Sequence, residues 1–137
     1  MKKIMTLLIA MVAMFGLNSC DVFNEVKGSP MIEFGWDLGN GKIGKEFQLE
    51  LFQGDAATLW EEMQKAIKSE GFIEAGNDNQ YVTYDTYTDA EAKSIAKRIV
   101  KKVNIEQYKI EINKDFVVRY KIDGETFTEV YRKNLKK

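Results

Sequence analysis

Two stretches of this chain place apolar residues at helical spacing, and the segments around them alternate apolar with polar residues at period two. Ala56, Leu59, Trp60, Met63, Ala66 and Ile67 fall within one ~120° arc, with Glu61 and Lys65 on the polar side. Asp55 reads as the N-cap of that helix and Gly71 as its stop. Ala92, Ile95, Ala96, Ile99, Val100 and Val103 form the second arc. Thr88 and Glu91 ahead of it have the spacing of a capping box, in which each side chain satisfies the other residue's backbone N–H.

Met31 to Trp36 could start a strand before the Gly39-Asn40-Gly41 turn, and strands are expected at Phe47, Leu49 and Leu51 and over Tyr81 to Thr88. Tyr108, Ile110 and Ile112 alternate next, then Phe116, Val118, Tyr120 and Ile122, then Phe127 to Arg132. Asp123-Gly124 is a hairpin turn signal between the last two. The order β-α-β-α-β-β-β predicts an α+β two-layer sandwich, with two helices on one face of a mixed, mostly antiparallel sheet. Long crossovers would allow parallel pairing among the early strands, whereas the closing three-stranded meander must be antiparallel.

The chain has 137 residues, enough for one domain, which we place at residues 31–137. There is one cysteine and no histidine. Internal disulfides are therefore impossible, and histidine-dependent nucleophilic catalysis and histidine-ligated metal sites are excluded. No glycine-rich phosphate loop precedes a helix, so no cofactor and no metal are expected. The formal net charge of −1 is a poor basis for nucleic-acid binding, which needs a concentrated positive field. Acids dominate the first half of the chain and bases the second.

Lys2 and Lys3 precede an uncharged apolar run over residues 4 to 17. As a helix this run would span about 21 Å, short of the ~30 Å hydrocarbon core, so it reads as the core of a signal peptide over residues 1–19. It ends in Leu17-Asn18-Ser19-Cys20, which resembles the lipobox of bacterial lipoproteins. The resemblance implies that the Cys20 thiol is acylated and becomes the first residue after cleavage. It covers the leader alone and implies no activity. Residues 20–30, ending in Gly28-Ser29-Pro30, then read as a lipidated tether that holds the domain at the inner or outer membrane of the cell envelope.

Two surfaces are candidate contacts. Lys93, Lys97, Arg98, Lys101 and Lys102 occupy the half of the second helix opposite its apolar arc, with Glu91 as the only acid among them. That face could meet lipid headgroups, acidic glycans or an acidic protein. Asp85, with Tyr81, Thr83 and Tyr87, could line a sugar site on one strand face. Glu61 and Glu62, adjacent on a helix, diverge by about 100° and read as a solvated face rather than a catalytic pair. Asp37-Leu38-Gly39-Asn40-Gly41 reads as a turn, since it lacks the distal glutamate of a calcium loop. The expected function is a non-enzymatic binding or scaffolding module on a lipid anchor, with an envelope protein or glycan as partner. The alternatives are a small carbohydrate-binding or glycan-active protein, or an inhibitor of an envelope-attacking hydrolase.

Overall fold

A computed structural model of the protein describes residues 27–45 and 51–136. The leader, Cys20 and most of the strand expected at 47–51 lie outside them. The elements are β1 (Pro30–Gly39), β2 (Lys42–Gly44), α1 (Asp55–Ser69), β3 (Ile73–Ala75), β4 (Asn77–Val82), α2 (Asp89–Val103), β5 (Asp115–Ile122) and β6 (Thr128–Asn134). They build the α+β sandwich that periodicity predicts. Among the described residues, six strands form one sheet in the order β3-β4-β1-β5-β6, with β2 also pairing β1.

β1 is the axis of the molecule. Ile32, Phe34 and Trp36 project from one face and are at most 1% exposed. Opposite them in register stand Tyr120, Val118 and Phe116 of β5, so apolar side chains from both strands share that face. Both helices cover it. Trp60 of α1 stacks on Trp36 with centroids 5.8 Å apart and meets Phe34 edge-on at 4.7 Å. Ala92, Ile95, Ala96 and Ile99 bring α2 into the same cluster. Each large side chain buried here stabilises the fold by about 1.5–3 kcal/mol, before the entropy of ordering it is subtracted.

The helix termini follow the local chemistry with one change. Thr88 accepts from the Glu91 N–H at 3.2 Å and donates its own N–H to Glu91 at 2.9 Å, so the capping box is present. Asn104 ends α2 in the left-handed conformation. Gly54, not Asp55, occupies the N-cap of α1, at φ 58°, where glycine lacks the penalty of a Cβ. Asp55 lies just inside the helix, and its carboxylate accepts the Lys109 backbone N–H. α1 ends at Ser69, and Gly71 follows at φ 92°.

Several strand boundaries differ from expectation. The strand expected over Tyr81 to Thr88 lies earlier, at Asn77–Val82, because its partner in β1 is used up at Met31. Past Val82 the chain bends away, leaving Tyr87 bridged to Gly28. Tyr108, Ile110 and Ile112 alternate in burial yet form no strand. Only Ile110 bridges the sheet, to Lys136, because a 3-10 turn at Ile105–Gln107 consumes the preceding residues. The meander is therefore a two-stranded hairpin. The named strand pairs are all antiparallel, and among the described residues the parallel contact is that one bridge. Sheet pairing also reaches back to Gly28 and Pro30, so the last residues of the expected tether belong to the domain.

Candidate ligand groove

Two short strands share one flank of β1, and neither covers all of it. β4 pairs with Met31, Ile32 and Glu33, while β2 pairs with Trp36, Asp37 and Gly39. Between them no described strand lies beside the backbone of Phe34 and Gly35 on this flank. Asn79, 6% exposed, fills the notch, and its amide donates to the Phe34 carbonyl at 2.8 Å and to Ile43 at 3.4 Å. A side chain thus supplies the bond that a continuous strand would have made.

Gly35 is required here. A Cβ at this position would lie 2.7 Å from the Gly44 nitrogen and 2.9 Å from its Cα, and φ is 151°. Only glycine lets β2 fold this close over β1.

The notch opens into a groove of about 450 Å³. On the sheet face away from the helices, Glu33 forms one wall. It is 5% exposed, and one carboxylate oxygen accepts from Arg119 at 2.6 and 2.7 Å. The other oxygen accepts from Gln80 at 2.7 Å, and Gln80 in turn accepts from Asn77 at 3.1 Å. Register places these side chains in one row, because Glu33 stands opposite both Gln80 and Arg119. Phe127 covers the row's end, with its ring 4.2 Å from the Arg119 guanidinium and 4.7 Å from the Lys121 ammonium.

The second wall centres on Asp78. Its carboxylate accepts from Lys45 at 3.1 Å and from the Trp60 indole at 3.2 Å. Lys45 also lies over the Phe52 and Trp60 rings, at 4.6 and 5.0 Å. Leu38, Lys42 and Ile43 of the β1–β2 hairpin complete the rim. Each acid lining the groove is thus balanced by a neighbouring cation. The surface is rich in hydrogen-bonding groups, and among the described residues it holds no unpaired carboxylate poised for proton transfer.

Sequence reasoning missed this site. Glu33 is a lone acid in the apolar run Met31 to Trp36, and that anomaly was its one visible sign. Its partner lies 86 residues away, so the pair exists only once the sheet forms.

The candidate residues named from sequence are placed differently. Tyr81 is fully buried on the helix-facing side of β4, 6.5 Å from Phe34 in a stacked pair. Burial, then the charge of Glu74, pushes its hydroxyl pKa up. Asp85 is exposed in the bend after β4, where its N–H reaches Thr83 Oγ1, and Tyr87 is half-buried against the core. The three do not converge on one site.

The basic face of α2 divides in two. Glu70, which caps the C-terminus of α1, accepts from Arg98 at 2.7 Å and from Lys102 at 2.9 Å. The Arg98 hydrogen bond, followed by Lys102, draws the Glu70 carboxyl down to about 2. Lys93, Lys97 and Lys101 are exposed, and no described carboxylate lies within ion-pair distance of them.

Among the described residues, no group of three or more acidic or thiol side chains could hold a metal, and no helix is long and apolar enough to cross a membrane. No family model matches this chain, and neither a curated protein nor a solved structure matches it.

Proposed function

We propose that the chain is a lipid-anchored, non-enzymatic binding module of the cell envelope, held through Cys20, whose groove takes a short segment of envelope glycan. The observation that carries this reading is the make-up of the groove. Amide, carboxylate and guanidinium groups of Asn77, Asn79, Gln80, Glu33 and Arg119 meet in one concave surface. A sugar hydroxyl both donates and accepts, so it pairs equally with amides and with carboxylates. The volume of about 450 Å³ falls in the range of small-ligand sites. The pairing of Glu33 and of Asp78 favours binding over acid–base catalysis, which needs a carboxyl free to exchange a proton.

A thermal-shift screen of the acylated protein against envelope glycan fragments tests the reading. A true ligand at a hundred times its Kd stabilises the fold by about 2.7 kcal/mol. Gln80→Ala should abolish that shift; it also removes a donor from the buried Glu33 carboxylate, so the shift is read against the variant's own unliganded midpoint. A photo-crosslinker at Lys42, on the groove rim, should capture glycan from envelope preparations where one at Lys97 does not. Capture from Lys97 alone would transfer the role to α2. No shift with any envelope sugar would refute the glycan assignment.

A further inference from the structure

The chain leaves the domain at a fixed place. Gly28 and Tyr87 exchange two backbone hydrogen bonds, of 3.0 and 2.9 Å, and Ser29 N–H donates to Asp123. The eight residues from Cys20 to Gly28 reach at most about 28 Å. β1 then carries the fold about 30 Å away, from Pro30 to the Gly39 turn. The end that holds Pro30, the bend after β4 and the β5–β6 turn is therefore the end beside the tether.

The surface apolar residues collect at that same end. Tyr84 is 88% exposed and Ile73 is 46% exposed, and they are the two exposed large hydrophobic residues among the described residues. Ile73 stands opposite Val82, and Val82 opposite Met31. All three point away from the helices, in a cross-strand row that ends at Lys121. Tyr84 follows two residues after Val82. Lys27 and Lys121 supply cations here, while Glu74, Asp85, Asp123 and Glu125 supply acids.

We infer that this end, led by Tyr84 and the Ile73–Val82–Met31 row, rests in the interfacial layer of the bilayer that holds the acyl chains of Cys20. This rests on the acylation of Cys20 and is independent of the glycan assignment. Tyrosine suits that layer, since its ring prefers the apolar side and its hydroxyl the wet side. The net acidic local charge favours contact through apolar side chains over attraction to anionic headgroups. The basic row Lys93, Lys97 and Lys101 starts near this end and climbs about 12 Å along α2, away from the bilayer.

The test uses the full acylated chain on phosphatidylcholine vesicles with bromine on the upper acyl carbons. Tyr84→Trp is compared with Lys114→Trp, which sits at the opposite end of the sheet before β5. The native Trp36 and Trp60 are buried and give a common background. Tryptophan at 84 should shift to the blue and be quenched about twofold more than tryptophan at 114. Equal quenching at the two positions in protein that floats with the vesicles would overturn the docked orientation and leave the anchor standing. Protein that fails to float, with an unmodified Cys20 by mass, would remove the anchor and the docking together.

Discussion

Glu70 closes α1 and also decides how much of the charge on α2 is left for anything else. Its carboxylate is only 10% exposed and is held by Arg98 and Lys102. A fall from 4.5 to about 2 would correspond to roughly 3 kcal/mol if nothing were screened. Both cations are about half exposed, so about 1–2 kcal/mol is the expected contribution. Because the folded pKa is depressed, this stability is complete above pH 4.5 and is lost as pH falls through about 2. Glu70→Gln should therefore cost about 1–2 kcal/mol in urea unfolding at pH 7, and the gap from wild type should close towards pH 2. Glu33 and Arg119 are a harder pair. Arg119→Leu alone strands a carboxylate that is 5% exposed, at a cost of about 3–5 kcal/mol, whereas the Glu33→Leu and Arg119→Leu double variant should recover most of it. A double variant as unstable as the single one would show that shape at this site outweighs charge. Gly35→Ala should cost about 1–3 kcal/mol, since the new methyl meets Gly44 backbone rather than a side chain that can turn aside.

Among the elements, α2 was the most legible in sequence and the β1–β4 pairing the least. The arc of α2 and its capping box depend on residues three and four apart, so neighbours in the chain specify them. Thr88→Ala should cost about 1 kcal/mol, read as a shift in urea midpoint with no change in slope. The sign of the face was also legible, but its division was not, because Glu70 comes from another helix. Charge reversal separates the two halves. Lys97→Glu with Lys101→Glu should leave the midpoint nearly unchanged, whereas Arg98→Glu with Lys102→Glu sets two acids against Glu70 and should lower it. The position of β4 was obscured because Tyr81 to Thr88 is rich in strand formers, whereas Asn77 to Gln80 is polar and reads as a loop. What makes those polar residues a strand is the flank of β1, more than forty residues earlier, and so the groove they line was hidden as well.

For the whole molecule, β1 joins the two flanks of the sheet. β5 pairs along seven of its residues, and β2 and β4 divide the other side. Hydrogen exchange should accordingly be slowest in β1 and β5, which are paired on both sides, and fastest in the three-residue β3 at the edge. Slow exchange in β3 would mean that something else covers that edge. The gap floored by Asn79 lies between the points where two short described strands stop along a common rail. Adding two residues to β2, or moving the Gly76 corner ahead of β4, would narrow or widen it like a shutter, while the packed layer beneath kept all its neighbours. A lineage built on this plan could exchange one guest for another by editing two turns, with its core left unaltered.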